Sequence, residues 1–245
     1  LGNEGESFPN STDTVIVFDI WSDYAHYRKI ETTTSPLTYS IPTGTAIMGM
    51  IAAIIGFERD SYYEELAPSK MKFAIKVLSN PPKKSRMNLT LLDTSRGFFL
   101  QDIGENPRTL IPYEFIQNPR FKIYVWLKDE VLRAKLKRFL KEHKSYYTPT
   151  LGIANMIANF SYENEYKLEK ANDDLVHSIA RMDNGHLEIE SGKRYIIEKI
   201  PIYMNKTRIV QDYAEVIYEV TGKPVRMSNV LSYKVGPDNI VFLQA

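Results

Sequence analysis

Four histidines, the adjacent carboxylates and the lack of any cysteine are the first places to look for chemistry in this 245-residue chain. His26, His143, His177 and His186 lack the spacing that brings imidazoles around a metal. Asp173-Asp174 and Glu64-Glu65 point apart on a helix and to opposite faces on a strand, so neither makes an acid/base pair. There is no GxxxxGKS/T phosphate loop, no GxGxxG after the first apolar run, no GxSxG and no HExxH. Nothing in the sequence asks for a cofactor or a metal. What remains is a pattern of cations interleaved with rings. Arg120, Lys122, Tyr124 and Trp126 alternate along one face of an expected strand. Such mixtures hold single-stranded RNA, with cations on phosphates and rings stacked on bases at about 1–3 kcal/mol each. The same face would serve equally as core if other strands cover it.

Two further features suit an anion. Thr43-Gly44-Thr45 opens an expected helix, whose first N–H groups are free and whose dipole is positive there. Gly44 would admit a phosphate backbone and the two hydroxyls would donate to it; an ordinary capped helix start has the same residues. Arg133, Lys137 and Lys141 lie at i, i+4 and i+8, a stripe facing either phosphates or solvent. Arg96-Gly97-Phe98-Phe99-Leu100 partly matches an RNA-recognition motif, but its Pro/Gly-rich surroundings mark the match as accidental.

The elements that must position these residues follow from hydrophobic period. Thr14–Trp21 is a β-branched, aromatic run of strand length. A long loop follows from Ser22 to Thr43, then a helix from Gly44 to Ile55 capped by Thr43 or Thr45 and stopped by Gly56. Tyr62–Ala67 predicts a short helical turn. Met71–Leu78 and Arg120–Leu127 alternate as strands, and Asp129 caps a helix to about His143. Between them lie about forty residues punctuated by Pro and Gly, which predict a projecting hairpin. Ile157–Tyr166 reads as another strand. The order β-α-β, hairpin, β-α-β is the split βαβ, or ferredoxin-like, plan shared by RNA-recognition modules. From Asp173 onward only strand signals occur, at Leu175–Met182, His186–Glu190, Tyr195–Tyr203 and Arg208–Val220.

Net charge is +1, but its distribution is uneven. Leu66 to Lys144 carries 17 Lys or Arg against 7 Asp or Glu, while the first 65 residues carry 3 against 10. That predicts a localised anion-binding surface. The absence of cysteine and of any apolar run near the roughly 20 residues that span a bilayer fits a cytoplasmic protein without a membrane partner. Residues 1–13 read as a flexible leader or a remnant of cloning.

At this point the stretch Phe18 to Gly56 resembles the N-terminal signature of the CRISPR-associated Cas five family, within the RAMP superfamily. Ser35-Pro36-Leu37-Thr38-Tyr39, Pro42, Ala46 and Gly49 occupy its recurring places. Arg108-Thr109-Leu110-Ile111-Pro112-Tyr113-Glu114-Phe115 with Asn118-Pro119, and Leu151-Gly152 with Asn155, give supporting matches over about the first 165 residues. The pattern is closest to the type I-B-like branch. The resemblance implies an α+β protein: a ferredoxin-like (RRM-like, RAMP) N-terminal domain over 14–168, a β-hairpin thumb insert at about 79–119, and a smaller, mostly β C-terminal domain over 169–245.

It implies too a non-catalytic subunit of a type I effector complex, or Cascade, that caps the 5′ handle of the crRNA. Its neighbours there would be the repeated backbone subunit, the large subunit and a repeat-processing nuclease. Expected RNA contacts are Tyr24, His26, Tyr27, Arg28, Lys29, Tyr39, Thr43, Gly44, Thr45, Lys83, Lys84, Arg86, Arg108, Lys144, Tyr146, Tyr147, Gly152 and Asn155. One branch of the family cleaves precursor RNA without metal, using a Tyr, a Lys and a His. Tyr39, His143 and Lys144 are the candidates here, the last two in reversed order. A protein-interaction module without RNA contact is the third possibility.

Overall fold

The computed structural model describes residues 9, 13–78, 83–92 and 108–244. Most of the expected leader, residues 79–82 and 93–107 of the expected hairpin, and the Arg96–Leu100 segment lie outside the described residues. The first half contains β1 (Thr14–Trp21), β2 (Tyr24–Ala25), α1 (Gly44–Ile55), β3 (Met71–Val77), β4 (Lys83–Leu92) and β5 (Arg108–Gln117). It continues through β6 (Arg120–Leu127), α2 (Glu130–Lys141) and β7 (Asn159–Lys167). The remainder is almost all strand: β8 (Glu169–Lys170), β9 (Leu175–Val176), β10 (Ala180–Arg181), β11 (His186–Glu188), β12 (Tyr195–Met204) and β13 (Val210–Glu219). Three short strands close it, β14 (Val225–Ser228), β15 (Tyr233–Val235) and β16 (Asp238–Ile240).

Strands β3, β6, β1 and β7 form, in that order, a four-stranded sheet in which every pairing is antiparallel. One face carries Ile16, Phe18, Ile20, Phe73, Ile75 and Ile123, which pack on Ile47, Ile51 and Ile54 of α1 and on Leu136 and Leu140 of α2. Both helices start where a side chain can satisfy free N–H groups. Thr43 Oγ1 accepts from Ala46 N, and the Asp129 carboxylate accepts from Val131 N and Leu132 N. Gly56 ends α1 in the left-handed region, φ 87°.

The other face of this sheet is covered. Val15, Val17, Ala74, Tyr124 and Trp126 pack beneath Val235, Ile240 and Phe242, with Tyr124 1% and Trp126 4% exposed. The RNA-facing reading of Arg120, Lys122, Tyr124 and Trp126 is therefore overturned: the rings are core, Lys122 pairs with Glu163, and Arg120 pairs with Asp19 at 2.9 Å. A two-layer domain buries both faces of its sheet when a second strand unit is available to do it. The stripe on α2 is likewise engaged: Arg133 and Lys137 reach Glu165 of β7, and Lys141 lies over the Tyr162 ring.

Strands β12 and β13 form a long hairpin with β10 at one edge. Ile200, Ile202, Ala214 and Val216 join the core on the α1 side. The expected strand Leu175–Met182 is broken into β9 and β10 because its middle changes partners. His177 N bonds to Asn239 O and Ile179 N to Ile75 O, both at 2.7 Å. The expected helical turn at Tyr62–Ala67 reduces to one hydrogen-bonded turn, Leu66 N to Tyr62 O. Strands β4 and β5 pair over ten residues from Lys83–Gln117 to Leu92–Arg108, with β2 on the outer edge of β5.

Asp238 joins the covering unit to the sheet. Its carboxylate accepts from Lys76 Nζ at 2.6 Å and from the Tyr124 hydroxyl, with its side chain 6% exposed. Burial raises its pKa, but the Lys76 ammonium and the Tyr124 hydroxyl outweigh burial and hold it below the usual carboxylate range. A depressed carboxyl contributes stability above its unfolded value of about 3.9, and loses that contribution as pH falls through the lower folded value. Asp238→Ala should cost about 3 kcal/mol at neutral pH in urea denaturation, and should flatten the acid limb of the stability curve. A loss below about 1 kcal/mol would show that the pair is not what fixes the two layers.

Candidate nucleic-acid interface

The loop from Ser22 to Thr43 has little secondary structure of its own, so side chains outside it must fix its shape. Two carboxylates do so from opposite sides. Glu114 of β5 accepts Thr38 N at 3.1 Å and Lys84 Nζ at 3.3 Å, and Lys84 also donates to Thr38 O at 2.7 Å. The Glu114 backbone takes part as well: its N–H donates to Pro36 O, and its carbonyl accepts from His26 Nδ1–H at 2.7 Å. Glu198 of β12 accepts Ser40 N and Ser40 Oγ, both at 3.0 Å, and pairs with Lys29 at 3.7 Å. Within the loop, Tyr39 N bonds to Tyr27 O and Tyr27 N to Thr38 Oγ1, each at 2.8 Å. His26 N donates to Leu151 O. Gly152 follows at φ 100°, where a Cβ would lie 1.8 Å from His26 O; only glycine fits this close approach.

This anchored loop forms one wall of a groove of about 630 Å³. From the sequence-expected set, His26, Tyr27, Arg28, Tyr39, Thr43, Thr45 and Gly152 line it. Arg59, Asp60, Tyr62 and Tyr63 from the segment after α1 form a second wall, and Pro201, Met204, Arg208 and Tyr213 from the β12–β13 hairpin a third. Three arginines and five tyrosines thus share one concavity. Burial keeps the His26 ring below its ordinary pKa despite its bond to Glu114 O, so it is neutral at pH 7. Burial likewise pushes Tyr39 up to about 12. The positive charge of the groove is therefore arginine charge, which does not titrate. A second cavity of about 290 Å³ shares Thr45, Ala46, Tyr62 and Gly152 with the first and runs over Gly49, Ala53, Thr148 and Thr150. Thr45, Gly49 and Ala53 recur every four residues on α1, so a small-residue stripe leaves this space open.

Several expected residues sit elsewhere. Gly44 is buried, and a Cβ there would lie 2.3 Å from Ile202 O; the room it leaves is filled by β12, not offered to a phosphate. Lys29 lies over the Tyr39 ring at 5.1 Å, and Tyr24 packs edge-on against Phe115. Lys84 is held by Glu114, while Lys83 and Arg86 are exposed near the base of the β4–β5 hairpin. Arg108 lies opposite Leu92, roughly 20 Å along β5 from Glu114. Tyr146 and Tyr147 are exposed and meet edge to face, their backbone N–H groups tied to Ile54 O and Ala53 O. Asn155 is exposed in the turn after Gly152. Lys144 pairs with Glu142 at 3.0 Å, and His143 stacks on Phe160. The groove that takes Tyr39 is lined by neither of these two, so the candidate cleavage trio is not assembled around it.

Sequence reading missed Arg59, Tyr62, Tyr63, Arg208 and Tyr213. The run Arg59-Asp60-Ser61-Tyr62-Tyr63 does carry a local signal, basic next to aromatic. Arg208 and Tyr213 carry none, because only the tertiary fold brings the β12–β13 hairpin to the groove. Among the described residues, no cluster of three or more His, Asp or Glu could hold a metal ion, and no helix is long and apolar enough to cross a membrane.

A CRISPR protein from Archaeoglobus fulgidus shares this fold at 16% identity and a TM-score of 0.57, over 95% of this chain and 100% of that one. A chain of a CRISPR RNA-guided surveillance complex matches more loosely, at 11% identity and TM-score 0.49, over 91% of this chain and 95% of that one. A CRISPR-associated protein matches at 14% identity and TM-score 0.35 over 61% of this chain, which covers 66%, just under two thirds, of that protein. No curated protein matches the sequence. The family model described as CRISPR-associated protein (Cas_Cas5) matches residues 15–217, and the chain belongs to that family.

Proposed function

We propose that this protein is a non-catalytic RNA-binding subunit of a type I CRISPR interference complex, seating the 5′ handle of the guide RNA in the arginine- and tyrosine-lined groove. The observation that carries the reading is the groove itself: Arg28, Arg59 and Arg208, from three separate segments, for phosphates, and the accessible rings of Tyr62 and Tyr213 for unpaired bases. Family membership supports a place in a CRISPR effector assembly. On this reading residues 14–168 are a ferredoxin-like domain, supported by the β3-β6-β1-β7 order with two helices on one face. Residues 79–119 are its thumb and 169–245 a β-rich C-terminal domain. Lys83 and Arg86 at the hairpin base, with Arg108 further out, would carry the guide onward from the groove. Tyr146 and Tyr147, exposed and next in sequence to Thr148 of the second cavity, are candidate stacking platforms. The backbone and large subunits and a separate repeat-cleaving nuclease are the expected partners, in a cytoplasmic particle of type I-B-like kind.

Filter binding of handle-containing RNA across a salt series tests this. Each phosphate contact removed from a single strand should lower the slope of log K against log salt by about 0.7. Arg28→Ala and Arg86→Ala should each do so, and Tyr213→Ala should cost about 1–3 kcal/mol with the slope intact. Unchanged slopes and affinities across this series would remove the groove from RNA binding.

Incubation of the purified protein with repeat RNA in chelator is the second measurement. The intact RNA should persist. Specific cleavage abolished by Tyr39→Phe or His143→Ala would make the protein a metal-independent endoribonuclease instead.

A further inference from the structure

Asp60 and Arg208 face each other across the mouth of the groove. Arg208 donates through Nε to Asp60 Oδ1 at 3.1 Å and through Nη2 to Oδ2 at 2.8 Å, a two-pronged fork. The Tyr63 hydroxyl donates to Oδ1 at 3.1 Å, and Arg59 Nε stands 3.6 Å from Oδ2. Three donor groups from two chain segments thus converge on one carboxylate.

The backbone at both ends of the pair is unusual. Asp60 sits at φ 64° and Arg208 at φ 60°, in the left-handed region that non-glycine residues seldom occupy and that tends to mark functional positions. The Asn205 side chain accepts from Thr207 N and Ile209 N and so holds the turn that projects Arg208. The pair is also accessible, with Arg208 50% and Asp60 38% exposed, so it contributes little to stability and exchanges readily. A second, more exposed pair, Lys206–Glu64 at 3.4 Å, joins the same two segments.

We propose that Arg208, Arg59 and the Tyr63 hydroxyl form a phosphate subsite, and that Asp60 fills it in the free protein as an internal stand-in for a phosphodiester. The inference rests on reading the groove as an RNA site. A carboxylate and a phosphodiester offer the same pair of oxygens to a guanidinium fork. When the strand enters, its phosphate takes the fork and Asp60 turns out to solvent. Asp60 therefore sets a threshold: it neutralises Arg208 against weak anions and yields to a strand held by the rest of the groove.

Fluorescence anisotropy with a labelled single-stranded oligouridine, over a range of salt, tests it with Asp60→Asn and Arg208→Ala. Asparagine tolerates the left-handed backbone, so the first variant keeps the turn. Asp60→Asn should bind about 3–10-fold tighter, with a steeper salt slope, because a competing charge is gone. Arg208→Ala should bind more weakly with a slope shallower by about 0.7, and should behave the same in the Asp60→Asn background. Asp60→Asn binding no tighter than the parent, or weakening as Arg208→Ala does, would make the pair a strut and overturn the proposal; Asp60→Ser gives the same reading should the asparagine variant unfold. Failure of the groove reading looks different: Arg28→Ala and Tyr213→Ala would then leave oligouridine binding untouched, and both ideas would fall.

Discussion

A buried or half-buried carboxylate that faces several backbone N–H groups can impose a shape on chain that has no hydrogen-bonded pattern of its own. Glu114 has that role here. Its side chain, N–H and carbonyl together bind Thr38, Lys84, Pro36 and His26, so the base of the β4–β5 hairpin and both limbs of the loop meet at one residue. Glu198 repeats the arrangement from the other side through Ser40 and Lys29. These two anchors hold the loop against β5 and β12 at once, beside the core packing of Tyr27 and Tyr39 and the His26 N to Leu151 O bond.

This also reassigns the basic charge. The excess of cations between Leu66 and Lys144 suggested one positive surface. In the fold much of it is internal wiring: Lys84 to Glu114, Lys76 to Asp238, Lys122 to Glu163, Arg120 to Asp19, Lys137 to Glu165. The arginines that line the groove, Arg28, Arg59 and Arg208, all lie outside that stretch. A count along the chain registers charge but not its partners, and partners decide whether a cation remains available.

Much of the fold was legible because it depends on local pattern. A β-branched, aromatic run marked Thr14–Trp21 and period-two alternation marked Arg120–Leu127, which form strands with those bounds, and cap chemistry placed α1 at Gly44–Ile55. The mixed order of strands and two helices could be read because these elements alternate in sequence. The errors share one cause. Alternation gives two faces and does not say which one a distant segment will cover, so the face of Tyr124 and Trp126 was open to a binding or a core reading, and Val235 and Phe242 above it make it core. Gly44 failed similarly: a glycine signals close approach, and the approaching group is Ile202 of β12. The site was half legible. The loop residues announce themselves by type, while Arg208 and Tyr213 depend on a hairpin more than a hundred residues downstream.

The outer edge of β3 has a kinetic meaning. Phe73 O accepts from Leu243 N, Phe73 N donates to the Gln244 side chain 171 positions further on, and Ile75 O accepts from Ile179 N. During synthesis this edge must wait for partners that emerge late, since loop closure over such separations is slow and costs entropy before any contact repays it. Nascent chains therefore carry an unsealed, apolar strand margin for most of translation, a template for unwanted pairing between neighbouring ribosomes. The downstream strands thus act as a closing seam along β3, made only once residues 179 and 243–244 are available to it.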